Sequence, residues 1–276
     1  MHQHLLVSDT RHFRVEDEIN PYMDRARQPD PAAARAEHDA LVAAHAAAGR
    51  TVEHLASAPG ESDMVFTANA ALVRGDRAVL GRPPAARAGE IAHVRAWLAA
   101  RGVVAEDAPY AFSGQGDALA LRDDLLLAAT GQRTDPRMLG VLAERLDHEV
   151  VPLRTVSPEF YDLDLAVGVP DPDGLLAWCP EALDEPSRAR VRGLRRRGFT
   201  LVEVDLAEAR AFALNLVGDG RHVTMTRGAP RLAAALRAHG LTVTELATEQ
   251  LARSGGGVRC TALTLDVPGT RTAVAA

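Results

Sequence analysis

The sequence predicts an α/β domain in which one supersecondary unit is repeated around an axis, and three observations lead there. A polar residue closes a short apolar stretch at Asn69, Asp117, Asp164, Asn215 and Cys260, recurring every 45 to 51 residues. After each of the first four, a Gly- or Asp-containing turn joins two short apolar runs, as in a hairpin. Where a helix start is legible it follows the hairpin, and in the first two units a further apolar strand follows the helix. Self-similarity at a fixed period of this size marks a repeat architecture. A solenoid would share the period. Five polar side chains gathered around a central channel is the more economical arrangement. At 276 residues and 47% hydrophobic, the chain can bury a large core, and residues 1–276 read as one domain.

In order, Leu5–Val7 reads as a strand, and Glu18-Ile19-Asn20-Pro21-Tyr22-Met23 as a polar loop. Asp30-Pro31 supplies an N-cap and a first-turn proline for a helix over Ala32–Ala48, which Gly49 stops. Met64–Asn69 reads as an apolar strand. Ala70–Val73 and Ala78–Leu80 form a hairpin about Gly75-Asp76, followed by a helix over 86–100 and a strand at Val103-Val104. The second unit repeats this with Leu119–Leu121, a turn at Asp123-Asp124, Leu125–Ala128, a helix from Asp135-Pro136 and a strand over Val150–Leu153. Met138, Leu142 and Leu146 share one face of that helix. The third opens at Phe160–Asp164 and turns at Pro172-Asp173-Gly174 into Leu175–Trp178. The fourth opens at Ala213–Asn215 and turns at Gly218-Asp219-Gly220 into His222–Met225, with a helix over Pro230–His239. The fifth is the strand after Cys260, completed by the N-terminal strand.

Composition narrows the function. All 31 basic residues are arginine, which excludes a Schiff-base lysine and the lysine of a phosphate-binding loop. A net charge of −6 does not favour nucleic acid. Cys179 and Cys260 form neither a disulfide framework nor a Cys-rich zinc site. No apolar run reaches the roughly 18 residues of a membrane span, and the start lacks a signal-peptide pattern. A cytoplasmic protein without metal or cofactor is expected. His2 and His4 are not expected to bind metal, and His222 reads as a strand-end residue.

The chemistry converges on Ser254-Gly255-Gly256-Gly257-Val258-Arg259-Cys260-Thr261. A Gly-rich loop delivering a thiol into an apolar strand suits a nucleophile; a small buried hydrophobe after a loop is the plainer reading. If the five openings meet, the thiol lies among two carboxylates and two amides. Asp117 and Asp164 then need a cationic partner, and a guanidinium held by carboxylates with its carbon facing a thiolate fits. Strand-end caps are the alternative.

The motifs Asp63–Asn69, Gly114-Gln115-Gly116-Asp117, Gly131–Arg137, Phe160-Tyr161 before Leu163-Asp164, Asp219-Gly220-Arg221-His222 and Gly255–Cys260 resemble the dimethylarginine dimethylaminohydrolase family, end to end. Glu18-Ile19-Asn20-Pro21 fits the bacterial members. The resemblance implies a five-bladed, pseudo-symmetric α/β propeller of ββαβ units. It implies Cys260 as the nucleophile of a covalent thiouronium intermediate, Arg133 and Arg82 on a substrate carboxylate, and Asp63, Asn69 and Asp164 lining the site with Asp117. Two positions depart from it. Asp162 stands where the family has its acid–base histidine, and Ser113 where it has that histidine's acidic partner. A carboxylate beside a thiol raises its pKa, where an imidazolium lowers it.

The expected activity is hydrolysis of a small guanidino compound, or amidino transfer, through Cys260 with Asp162 and Ser113 in the acid–base positions. A relative that binds an arginine-like ligand without turnover is the alternative, and a homodimer is left open. Cys179, in another repeat, is expected to be structural and not bonded to Cys260.

Overall fold

The computed structural model describes residues 3–122 and 124–266. His2 and Asp123, both named above, lie outside the described residues. The chain is α/β, and its sheets repeat one pattern five times.

Strand β1 (His4–Ser8) is followed by α1 (Pro31–Ala47) and β2 (Thr51–Leu55). Asp30 caps α1 as expected, its carboxylate accepting from Ala33 N at 2.7 Å, and Gly49 ends it in the left-handed region at φ +79°. The next unit is β3 (Ala71–Arg74), β4 (Arg77–Leu80), α2 (Glu90–Ala99) and β5 (Val104–Asp107). Then come β6 (Ala118–Leu121), β7 (Leu125–Thr130), α3 (Met138–Leu146) and β8 (Glu149–Arg154). The third unit has β9 (Val167–Asp171), β10 (Leu175–Trp178), α4 (Glu185–Gly193) and β11 (Thr200–Glu203). The short α5 (Leu206–Arg210) leads to β12 (Val217–Gly218), β13 (His222–Thr226), α6 (Pro230–Ala238) and β14 (Thr242–Leu246). Finally β15 (Leu263–Asp266) returns to the N-terminal strand, Leu5 facing Thr264 in antiparallel register.

In every unit the first strand pairs antiparallel with the second, and the second pairs parallel with the third: β3-β4-β5, β6-β7-β8, β9-β10-β11, β12-β13-β14 and β15-β1-β2. In the first four units a hairpin fixes the first pairing; in the fifth, β15 and β1 are far apart in sequence. The helix carries the chain over one face to reach the parallel partner, as any parallel crossover requires. Parallel pairing of β15 with β3 joins the fifth unit to the first. Among the described residues no helix is long and apolar enough to cross a membrane.

One element departs from the sequence expectation. Met64–Asn69 is not a strand; residues 61–66 turn and Thr67–Ala70 form a single 3₁₀ turn. Three of the other openings also approach through a tight turn, Gly114–Gly116, Leu163–Leu165 and Leu251–Ser254. A short apolar run does not by itself separate a strand from a buried turn. Here the turn's backbone is used by a neighbouring unit, since Ala68 N donates to Cys260 O at 3.1 Å.

Candidate active site

The five polar openings meet. Asn69, Asp117, Asp164, Asn215 and Cys260 are all 4% exposed or less, and hydrogen bonds run between units. Leu163 N donates to Asp117 Oδ1 at 3.0 Å. Asn215 Nδ2 donates to Cys260 Sγ at 3.2 Å, and the thiol faces Asp164 Oδ2 at 3.5 Å. Asn215 is locked in turn, because its Oδ1 accepts from Arg259 N and Cys260 N at 2.9 and 3.2 Å.

The glycine run makes this approach sterically feasible. A Cβ on Gly256 would lie 2.1 Å from Phe66 Cε1, and one on Gly257 would lie 2.9 Å from Asn215 Oδ1. Gly255, at φ +88°, ends the preceding turn in the left-handed region. Burial pushes the Cys260 thiol well above its ordinary range, and the carboxylates of Asp164 and Asp162 push it further.

Asp162, fully buried, accepts from three side chains. Ser113 Oγ donates to its Oδ1 at 2.6 Å, while Asn69 Nδ2 and Arg133 Nη1 donate to its Oδ2 at 2.9 and 3.2 Å. Arg133 also stacks on Tyr161, its guanidinium carbon 4.1 Å from the ring centroid. Asp162 is extended, at φ −124° and ψ 153°, and leads straight into the Leu163–Leu165 turn. Residues two apart on an extended chain share a face, and the turn keeps Asp162 and Asp164 in one polar cluster.

The charge crowding is visible in its neighbours. Burial and then Asp162 push Asp164 up to about 8. The same two causes push Asp117 well above the carboxylate range, although Thr134 Oγ1 donates to it at 2.6 Å. Burial also raises Asp63 to about 6, against Arg87 and a 2.7 Å bond from Ser254 Oγ.

Cys260, Asp63, Asn69 and Arg133 line a narrow cavity of about 10 Å³, together with Tyr161, Phe66 and the loop residues Ile19, Asn20 and Met23. Of the expected site residues, Ser113, Asp162 and Asp164 bond directly to this set, and Asp117 supports it from behind through Leu163 and Thr134. Arg82 is not brought in. Its backbone pairs with Phe112, its side chain is exposed, and its guanidinium donates to Pro109 O at 2.6 Å.

The arginine that enters instead is Arg87, which the sequence reading passed over. It is 3% exposed and donates to Glu90 at 2.8 Å, to Asn69 Oδ1 at 2.8 Å and to the carbonyls of Asp63 and Phe66. Its spacing of three residues from Glu90, ahead of a helix, was the available signal. Asn20 lies in the Glu18–Met23 loop. Its Nδ2 donates to Ser254 O at 3.1 Å and ties the covering loop to the cysteine loop.

Elsewhere, Cys179 is buried and free, and burial raises its thiol to about 11. His4 is paired with Glu53 at 2.6 Å, and His222 opens β13 half-buried.

Comparison with known proteins agrees with this geometry. The family model described as N,N dimethylarginine dimethylhydrolase, eukaryotic, matches residues 9–266. The N(G),N(G)-dimethylarginine dimethylaminohydrolase of Mycobacterium tuberculosis is 34% identical over 254 residues, covering 91% of this chain and 82% of the relative. The bifunctional arginine dihydrolase/ornithine cyclodeaminase ArgZ of Synechocystis is 31% identical over 268 residues; the chain spans 96% of itself and 38% of that longer protein. The crystal structure of a variant N-terminal domain of ArgZ, covalently bound to a reaction intermediate, superposes with a TM-score of 0.90 at 29% identity, covering 96% of this chain and 98% of that one.

Proposed function

The chain belongs to the dimethylarginine dimethylaminohydrolase family, and from that premise we propose that it is a cysteine hydrolase of a C–N bond in a guanidino compound related to arginine. The observation that carries the reading is Cys260 Sγ at one wall of a small closed cavity, flanked by Asp164 and Asn215, with Asp63 on the lining. We read the five sheet units, whose openings meet there, as the blades of a five-bladed α/β propeller.

A planar cation between these carboxylates offsets their crowded charge. It also lowers the thiol's pKa, because the carboxylates that hold the proton on sulfur are then neutralised. Sulfur attack on the guanidinium carbon, loss of an amine and attack by water on the resulting thiouronium give a ureido product. Amidino transfer differs only in that an amine takes the place of water. Relatives named for dimethylarginine and for arginine make those two compounds the first candidates, with Arg133 on the substrate carboxylate. The family resemblance assigns acid–base work to position 162, with Ser113 supporting it.

Binding without turnover is the second reading. It is favoured by the raised thiol and by Asp162, where the family has histidine. Intact mass after incubation with L-arginine, its methylated forms and simpler guanidines separates the two. A Cys260 adduct with ureido product supports hydrolysis. Thermal stabilisation with neither adduct nor product supports binding. Turnover undiminished in Cys260→Ala refutes the hydrolase reading.

A further inference from the structure

Asp162 stands in the position of an acid–base group, yet its bonding does not suit that work. All three side chains on it donate to it, both oxygens are occupied, and one partner is a guanidinium. The group has no proton of its own in these bonds. The three donors take both sites on Oδ2 and one on Oδ1, which leaves a single site beside the Ser113 hydroxyl.

Asp164 is placed the opposite way. It is 1% exposed, its Oδ1 has no hydrogen-bond partner, and its Oδ2 is 3.5 Å from the Cys260 sulfur. A buried, open carboxylate oxygen is costly unless something uses it. Here it lies on the group that touches the nucleophile.

The geometry points to Asp164 as the acid–base catalyst of this site and to Asp162 as a fixed anion that positions Arg133, Ser113 and Asn69. This rests on the hydrolase reading above. The protons balance as follows. As sulfur bonds to the guanidinium carbon, the thiol proton passes to Asp164 and the C=N π pair moves to nitrogen. Asp164 then protonates the departing nitrogen, the C–N bond breaks, and the amine leaves while the carbon becomes a thiouronium cation. Water adds to that carbon and gives one proton to Asp164. As the C–S bond breaks, the remaining hydroxyl proton returns to sulfur and the C=O bond of the ureido product forms. The proton left on Asp164 is released to solvent, where the departed amine takes up a proton as ammonium, and the carboxylate is restored.

The titratable and charged groups facing Asp164 are Cys260 on its own loop, Asp162 on the same turn, Arg259 and the Tyr161 hydroxyl. Asp162 opposes its ionisation, while Arg259 and the hydrogen bond with Cys260 favour it. Strongly interacting groups titrate as a pair, so the thiol and Asp164 lose their protons in two linked steps.

The test has two arms, run on the parent, Asp164→Asn and Asp162→Asn proteins. The first needs no substrate: the rate of Cys260 alkylation by iodoacetamide against pH, followed by intact mass. The parent is expected to show two steps, Asp164→Asn one, and Asp162→Asn two steps displaced to lower pH. A two-step curve surviving in Asp164→Asn, or collapsing to one in Asp162→Asn, overturns the assignment.

The second arm measures kcat and KM with L-arginine and NG,NG-dimethylarginine. Loss of an acid–base group lowers kcat by about 10²- to 10⁴-fold, so Asp164→Asn should lose at least about 100-fold in kcat, and Asp162→Asn less than tenfold. An Asp164→Asn effect confined to KM would make the residue a binding group and overturn the proposal. If the parent turns over neither compound, the hydrolase reading fails, and the alkylation curves still decide the Cys260–Asp164 pairing.

Discussion

Replacing Arg87 by methionine isolates the arginine that the cavity is built around. Arg87 and Glu90 have side chains 4% exposed each and meet at 2.8 Å. Arg87 also holds Asn69 Oδ1 at 2.8 Å and the carbonyls of Phe66 and Asp63 at 3.0 and 3.2 Å. Methionine fills much of the volume and makes none of these bonds. Removing one partner of a buried ion pair costs about 3–5 kcal/mol, because the other charge stays buried and uncompensated. At about 2–4 °C per kcal/mol for a domain of roughly this size, Tm should fall by about 6–20 °C.

Urea denaturation of the parent, Arg87→Met and Arg87→Met/Glu90→Leu proteins checks the origin of the loss. Removing both charges should recover part of it, since buried pairs exchanged for apolar residues are often near neutral. Recovery should be incomplete, because Asn69 and two carbonyls still lack a donor, each at about 1–3 kcal/mol. A single variant that loses less than about 1 kcal/mol, or a double variant less stable than the single, would refute the reasoning.

Other consequences are separately measurable. Asp162→Asn should speed iodoacetamide alkylation of Cys260 at neutral pH, because it removes a carboxylate that raises the thiol and unpairs Arg133; coincident pH curves for variant and parent would show that the two groups do not sense each other. Arg133→Ala should weaken binding of an amino-acid guanidine by about 1.5–3 kcal/mol, the worth of a charge-assisted hydrogen bond; isothermal titration reads it, and unchanged affinity removes Arg133 from the binding site. His45 is buried and its pKa lies at about 3, lowered by burial and then by Arg50. The unfolded chain therefore binds the extra proton between about pH 6.5 and 3, and stability falls as pH drops through that window by up to about 1.4 kcal/mol per unit. His45→Gln should flatten that slope in pH-dependent denaturation. Cys179 is buried and free and should carry no bond to Cys260; non-reducing peptide mapping that finds the two linked would contradict this.

The repeat was legible because its signals are local. Turn residues, N-caps and an apolar run ending in a polar group each act within a few residues, and the interval between them only has to be counted. Asp30 before Pro31 and the Gly218-Asp219-Gly220 turn fall where local rules place them. The 3₁₀ turn at Thr67–Ala70 was not legible, because its fate depends on bonds to Leu6 O and Thr261 O, 61 and 194 residues away. The same holds for the site. A motif placed Cys260, Asp63 and Asp164, but the choice between Arg82 and Arg87 turns on which side chain finds a buried carboxylate, and Glu90 settles it. Nothing local pairs Arg133 with Asp162 either. Their contact spans 29 residues and two units.

That contact also explains how the two departures from the family pattern fit together. Exchanging a histidine for Asp162 alone would bury a second anion two residues from Asp164 and directly beside whatever side chain stands at 113. An acid retained at 113 would oppose it as a like charge. Serine removes that charge and supplies a donor, at 2.6 Å. Asn69, turned by Arg87 so that its Nδ2 faces inward, supplies the second donor, and Arg133 supplies the cation. The substitutions at 113 and 162 therefore satisfy one another, and either one alone would leave a buried polar group without its partner. The cost falls on the thiol. Among the described residues no imidazolium lies beside Cys260, whose sulfur faces Asp164, and a cationic guanidine would relieve the crowding around both.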